Sequence, residues 1–483
     1  MFGRLLCRRY HVNSLKSLYG QVDSLPSKVS NINGWIKSVR LLKKVAFIDI
    51  QDGTILKELK IVVPFDSQSN LSSEVATFLK SLRTGQSIAI KDAKLVETEG
   101  REQRFELNIT DPIDNISIIG NVSESYPLQK KYHSLPYLRT LPTLKHRTSY
   151  LGSLLRFRSE LEYNMATFFK LNQFTKASPP ILTGSDCEGA GELFRVEANG
   201  YVEKKQHYFG KPTYLTVSLQ LQLEILAMAF SRAWSLSPCF RAEESDTNRH
   251  LSEFWMMEAE WCFTKDTKEL TTFVKDMIQY ITRESYKNFD DFIPKNIPEN
   301  CLPRNELLER WETLLRDESW NTITYTEAIE ILQKRDKEVP FPNYRPIWGE
   351  ALQSEHERWL SESYFKGPTF VTDYPRDCKA FYMKLNPDGQ TVACFDLLVP
   401  GIGEIVGGSI REDNFELLSK EVSRRQMNKN GELDWYLSLR KEGSVPHGGF
   451  GLGLERFVSY LYGNHNIRDA IPFYRAASGN IDL

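Results

Sequence analysis

Three short stretches of this 483-residue protein carry side chains suited to holding phosphates and charge. In FRAEESDTNRHLSEF (240–254), Arg241 and Glu243 alternate onto one face of an extended segment, Arg249 and His250 sit in a polar loop, and Phe254 starts the return. A guanidinium grips a phosphate through two parallel hydrogen bonds, loop cations would hold further phosphates, and a ring can stack on a purine. In DLLVPGIGE (396–404), a Pro-Gly turn can fold Asp396 and Glu404 toward each other. Such hard oxygen ligands, meeting substrate phosphates, are what magnesium prefers. Gly407 and Gly408 then permit close backbone approach, and Arg411 follows in the same strand. In GGFGLGLERF (448–457), Gly449, Gly451 and Gly453 leave one side of a strand bare, and Arg456 opens the next helix. A flat glycine floor with a cation beside it would admit an adenine ring.

Taken singly, each stretch has a plainer reading: a surface hairpin with a weak Arg–Glu pair, two unrelated acids at strand ends, or a strand–helix contact that needs small residues. Neither GxxxxGK[ST] nor GxGxxG occurs, so a nucleotide enzyme built on this sequence would hold phosphates with side chains and metal.

The surrounding sequence supplies elements to position these groups. From Ser30 to about Gly120, five runs (NINGWIKSVR, VAFIDIQDG, LKIVVPF, SIAIKDAKLVE and RFELNIT) read as short strands. An OB-fold over 25–120 is the first candidate, with another small barrel or a sandwich edge left open. Pro127, Pro136 and Pro142 mark 121–145 as a hinge, and a second domain follows over 146–483. There, leucines and aromatics at helical spacing predict a long helix over 146–174, stopped by Pro179–Pro180, and a second helix over 218–234. SPCFRAEE and SEFWMMEAEWCF form an antiparallel hairpin in which Phe254, Met256, Glu258 and Glu260 share one face. KAFYMKL, TVACFDLLVP and GEIVGGSI read as further strands, and about 265–365 as a charged helical insertion. Helices mixed with hairpin-connected strands predict α+β, with an antiparallel sheet flanked by helices.

Composition sets the outer limits. With 41% hydrophobic and 26% charged residues, and no apolar run near the ~20 residues of a bilayer span, neither disorder nor membrane spanning describes the bulk. A net charge of −2 gives no overall attraction to nucleic acid, although a local basic face is compatible with it. Seven scattered cysteines without a Cys-x-x-Cys pair suit reduced thiols and predict no structural metal. Residues 1–22 carry Arg4, Arg8, Arg9 and Lys16 with no acid before Asp23, the composition of a mitochondrial presequence, and hence of a matrix protein; a disordered basic terminus is the alternative.

At this point the motifs resemble a family. FRAEESDTNRHLSEFWMMEAE (240–260) is similar to motif 2 of the class II aminoacyl-tRNA synthetases, GGFGLGLERF to motif 3, and the helix before Pro180 to motif 1. SDCEGAGELF (185–194), YPRDCKAFYM (374–383) and PGIGEIVGGSIRED (400–413) look like the asparaginyl group of subclass IIb, which carries an N-terminal OB-fold. The resemblance implies a homodimer that joins asparagine to ATP as an adenylate and passes it to tRNA(Asn). By motif position it implies Arg241 on the α-phosphate, Glu243 beside the nucleotide, Arg249, His250 and Leu251 over bent ATP, and Phe254 on adenine. Gly453, Leu454, Glu455 and Arg456 would complete the ATP site, with Mg2+ on Asp396 and Glu404. For asparagine it implies Glu188 at the ammonium, Ser218 and Gln220 nearby, and Arg411 at the amide oxygen. For the anticodon it implies Phe47 as the stacking ring and Glu106 at a base edge, with Lys60 where relatives often present glutamine. Phe47 in the barrel core is the alternative.

The nearest competitor is an aspartyl or non-discriminating enzyme, whose site adds a lysine in the segment matching SLQLQLE (218–224). Here Leu223 takes that place and Glu224 follows it, so a cation is lost and an anion gained. That disfavours a substrate carboxylate and suits a carboxamide, which offers both a C=O and an NH2.

Overall fold

The computed structural model describes residues 14–20, 28–64, 71–101, 103–184, 193–204, 206–244, 247–429, 431–477, 479 and 481. They form two compact units, one of residues up to Arg156 with Phe289–Pro298, the other of Phe157–Asn288 with residues from Glu299 onward.

In the first unit the strands are β1 (Lys28–Leu41), β2 (Val45–Gln51), β3 (Leu59–Pro64), β4 (Ser87–Glu97), β5 (Phe105–Asn108) and β6 (Ile116–Gly120). Their order is β1-β2-β3-β5-β4-β6, and an added β1–β4 pairing closes the barrel. Period-two alternation drives this closure. On β2, Ala46, Ile48 and Ile50 are buried, and on β3 Leu59, Ile61 and Val63 join them in one core. The OB-fold expectation holds, with two additions that the strand pattern did not reveal: β6, and a helix Leu71–Ser81 between β3 and β4.

A third addition lies inside the stretch read as a presequence. Leu15–Tyr19 is a helix capped by Ser14, and Leu15 and Leu18 are buried in the barrel core. The Leu15 amide donates to Asp52 Oδ2 at 2.7 Å, the Tyr19 hydroxyl to the Glu58 carbonyl at 2.9 Å, and the Tyr19 ring lies 4.6 Å from that of Phe105. The stretch read as a hinge contains a helix, Leu135–Arg139, whose N-terminal proline needs no amide partner.

The second unit is built on one sheet. Its strands are β7 (Thr175–Lys176), β10 (Arg232–Phe240), β11 (Glu253–Cys262), β12 (Asn321–Thr324), β13 (Thr369–Thr372), β14 (Cys394–Val399), β15 (Gly403–Ile410) and β16 (His447–Gly453); β8 (Leu182–Thr183) and β9 (Tyr214–Leu215) pair separately. The order is β12-β13-β14-β15-β16-β11-β10-β7. The five inner pairings are antiparallel, as expected, while the two edge strands add in parallel, making the sheet mixed. The stretch 265–365 is therefore not only helical: β12 joins the sheet, and the helix Tyr325–Glu338 follows under a Thr324–Glu327 capping box. KAFYMKL is not a ladder strand and makes isolated bridges such as Met383 with Arg411. The long helix spans Ser149–Leu171, ending before Gln173, whose φ is 63°, and thus upstream of the two prolines.

Candidate active site

The site occupies one face of the inner sheet, and the register shows why. Glu258 on β11 lies opposite Gly451 on β16, Gly451 opposite Gly407 on β15, and Gly407 opposite Asp396 on β14. One row above, Glu260 faces Gly449, and Gly449 faces Ser409. Alternation puts Phe254, Met256, Glu258 and Glu260 on this face, as expected, and sends Met257 and Ala259 to the buried opposite side. Gly449 is obligatory here, because a Cβ at this position would collide with the Ala259 carbonyl and the Glu260 carboxylate.

At one end of this face a cavity of about 180 Å3 is lined by Arg241, Glu243, Arg249, His250, Leu251, Phe254, Glu404, Gly451, Gly453, Glu455 and Arg456, among others. The Arg241 guanidinium stands 5.5 Å from the Phe254 ring and 3.8 Å from Glu243. Arg249 donates to the Ile402 carbonyl, and Arg456 donates to the Glu404 carbonyl at 3.1 Å. Burial and the nearby Arg456 lower Arg249 to about 10, and burial pulls His250 below its ordinary value. A cluster of cations of this kind suits an anionic ligand. Two residues expected at the nucleotide also serve the packing of the unit, and one of them, Glu455, lines the cavity as well. Leu454 is fully buried, and the Glu455 carboxylate binds Arg158 at 2.7 Å and accepts the Trp255 amide at 3.0 Å, locking the helix Leu454–Tyr462 into the unit.

Asp396 and Glu404 are brought together, though not by the turn alone. A bulge between Leu397 and Leu398 pairs Leu398 with Glu404, so both acids lie on the site face, and a Cβ on Gly407 would meet Glu404 Oε1 at 3.1 Å and Asp396 Oδ1 at 3.4 Å. Lys379 binds Asp396 at 2.5 Å. Burial raises Asp396 to about 6 despite that lysine. Glu357, which no motif singles out, accepts the Glu404 amide at 3.2 Å; burial, then Glu404, raise its carboxyl to about 7. No group of three or more His, Cys, Asp or Glu among the described residues forms a closed metal cage.

Deeper on the same face lies a buried charge cluster. Arg411 forms a fork with Glu260, donates to Ser409 Oγ, and lies 5.1 Å from the Tyr382 ring. Burial pushes Glu260 up to about 7, against the pull of Arg411. Ser218 donates to Glu258, which also accepts the Leu219 amide at 2.9 Å. Glu224 is completely buried and accepts from Gln220 Nε2 at 3.1 Å, Tyr436 at 2.9 Å, Arg440 at 2.8 Å and His447 Nε2 at 3.0 Å. Against the cost of burial, Arg440 and His447 hold its carboxyl far below the usual range. Glu258 and Glu260 were legible as neighbours of Phe254 through alternation alone; Tyr436, Arg440 and His447 belong to no motif recognised in the sequence. Glu188 lies outside the described residues.

On the barrel, Phe47, Lys60 and Glu106 are half-exposed on β2, β3 and β5, neighbouring strands, with Arg40 5.5 Å from the Phe47 ring. Phe47 alternates with buried Ala46 and Ile48 and so stands on the outer face, not in the core.

Comparison with known proteins agrees with this geometry. Residues 137–477 match the class II tRNA synthetases (D, K and N), and residues 31–113 match the OB-fold nucleic acid binding domain. The mitochondrial asparagine–tRNA ligase of Saccharomyces cerevisiae is 56% identical, covering 99% of this protein and 98% of the relative. The asparagine–tRNA ligase of Clostridium botulinum is 40% identical over 96% of this protein and 98% of its own length. Among solved structures, asparaginyl-tRNA synthetase from Pyrococcus horikoshii complexed with asparaginyl-adenylate superposes with a TM-score of 0.77 at 29% identity, covering 93% of this protein and 95% of that one. The Entamoeba histolytica synthetase with the same adenylate gives 0.78 at 26% identity, covering 94% and 96%. With its motifs assembled on one sheet face and both domains matched, the protein belongs to the class II tRNA synthetases and, within them, to the asparagine–tRNA ligase family.

Proposed function

We propose that this protein activates L-asparagine with ATP and transfers the asparaginyl group to tRNA(Asn) in the mitochondrial matrix. The asparagine carboxylate attacks the α-phosphorus of ATP in line, pyrophosphate leaves, and a terminal ribose hydroxyl of the tRNA then takes the acyl group from the adenylate. Positioning and charge neutralisation carry both steps. Arg241 holds the α-phosphate with Phe254 beneath adenine, Arg249 and His250 hold the outer phosphates, and Arg456 closes the other side.

Asp396 and Glu404 share one face over Gly407, which fits a hard cation completed by phosphate oxygens. Mg2+ held there would neutralise charge on the phosphates. The amino acid lies deeper, its ammonium beside Ser218 and Gln220 and its amide oxygen toward Arg411, which Glu260 aims.

The observation that carries the substrate reading is a buried pocket already rich in carboxyl groups. His447 Nδ1 is 2.8 Å from the Val445 carbonyl and Nε2 is 3.0 Å from Glu224. Both neighbours are hydrogen-bond acceptors, so the His447 ring is held between them with its Nε2 edge toward the carboxylate. Glu224, Glu258 and Glu260 set three buried carboxyl groups against the guanidiniums of Arg411 and Arg440, so the pocket accommodates a neutral carboxamide where an added carboxylate would meet further repulsion. ATP–pyrophosphate exchange with asparagine and with aspartate, followed by aminoacylation of mitochondrial tRNA, tests this. Preference for aspartate, or exchange without charging, would refute it.

Two further readings complete the proposal. Tyr163 and Leu171 are strongly exposed on the helix Ser149–Leu171, with Phe230 and Phe263 exposed in the same unit; a second copy of the protein covers such a surface in a homodimer. The mitochondrial identity of the yeast relative and the basic, acid-free N-terminus support import. Burial of Leu15 and Leu18 in the barrel core supports processing, on this reading, upstream of Ser14.

A further inference from the structure

Glu224 owes its place to three residues that lie outside the synthetase motifs. The helix Asp434–Ser438 and the turn after it deliver Tyr436 and Arg440, and β16 begins with His447; all three side chains are buried. Arg440 is fixed three ways: it donates to Glu224 at 2.8 Å, to the Tyr436 hydroxyl at 2.8 Å and to the Glu412 carbonyl at 2.9 Å, with its guanidinium 4.3 Å from the Tyr436 ring. Tyr436 stands 2.9 Å from both carboxylate oxygens. The fourth donor is different in kind. Gln220, one helical turn before Glu224, offers its carboxamide at 3.1 Å, the same N–H group that an asparagine side chain presents.

We propose that Arg440, Tyr436 and His447 are positioning residues that clamp the Glu224 carboxylate from behind, leaving the corner held by the Gln220 amide as the place where the substrate NH2 is received, and that this clamp sets the preference for asparagine over aspartate. This deepens the substrate reading above and rests on Glu224 facing the amide. A carboxylate held by three inflexible donors has one direction left in which to accept, and it accepts N–H but repels a second carboxylate. Without Arg440, Glu224 would be a buried anion short of its main partner, free to take a proton or swing away. Either change removes the repulsion that excludes aspartate.

The test is ATP–pyrophosphate exchange on the full-length enzyme, with KM and kcat measured separately for asparagine, aspartate and ATP. Arg440→Met is expected to raise the asparagine KM about 30-fold or more and to shrink the asparagine-to-aspartate ratio similarly, with the ATP KM unchanged. Arg440→Lys should recover part of the loss. Tyr436→Phe, which keeps the ring and all charges, should shift the ratio in the same direction by a smaller factor, and it keeps the proposal testable if Arg440→Met does not fold. Glu224→Gln separates the clamp from the substrate reading beneath it. An unchanged asparagine KM in that variant overturns the substrate reading itself. A raised KM in Glu224→Gln with unchanged values in both Arg440→Met and Tyr436→Phe overturns the clamp alone. Parallel losses for asparagine and ATP would show a merely structural role and would also overturn it. Adding Arg440→Met to Glu224→Gln should cost little more than Glu224→Gln alone, because the two act as one unit.

Discussion

Arg241 and Glu260 show what single residues contribute. Arg241 lines the cavity beside Phe254 and Glu243, so Arg241→Ala should lower exchange by at least ~10²–10³-fold, the size expected when one preorganised donor to a developing charge is lost. The sedimentation coefficient should match that of the unsubstituted protein, and retained exchange would remove Arg241 from its proposed role. Glu260 makes a pH prediction. Its carboxyl sits at about 7 in the fold, so as pH falls through that value it gains a proton and releases Arg411. The asparagine KM should therefore rise below about pH 7, and Glu260→Gln should flatten that rise while raising KM at pH 8. On stability the sign is opposite: between the ordinary carboxyl value and about 7 the folded protein keeps a proton that the unfolded polypeptide has lost, so this group favours folding less as pH rises. Cavity-lining residues were legible where motif and alternation coincided, as at Phe254, or from a motif alone, as at Arg456. Glu357, Tyr436 and Arg440 were not, because the short helices and the turn that carry them show only a pattern of burial.

Among the elements, strands were easier to read than their edges. The β10–β11 hairpin and the glycine strand β16 follow from period-two alternation, whereas β12 is four residues long and hidden between helices, with nothing local to distinguish it from a loop. The helix Leu15–Tyr19 was missed for a different reason: the basic composition that marks an import signal says nothing about which leucines later enter a core. Removing residues 1–20, and with them the helix Leu15–Tyr19, should lower the thermal unfolding of the barrel. Leu15→Ala alone should cost about 2–5 kcal/mol, the range for a large-to-small change at a fully buried site. N-terminal sequencing of the mature protein checks the corollary that it begins no later than Ser14.

At the level of the whole molecule, the proposed ATP site and the proposed anticodon face lie in different compact units, so lesions should separate as well. Phe47→Ala changes an outward ring on the barrel and should weaken tRNA charging about 5–100-fold, the value of one stacked base, while leaving exchange intact. Comparing aminoacylation with exchange on one preparation tests this; equal losses in both would place Phe47 in the folding of the barrel instead. The bulge in β14–β15 has a consequence for genomes. Ile405 is the surplus residue that lets Glu404 stay on the side of Asp396. A lineage that deleted it would regain a regular ladder with both acids still facing the same way. Searches that demand a fixed interval between Glu404 and the glycine pair would pass over such cousins, although their chemistry would be intact.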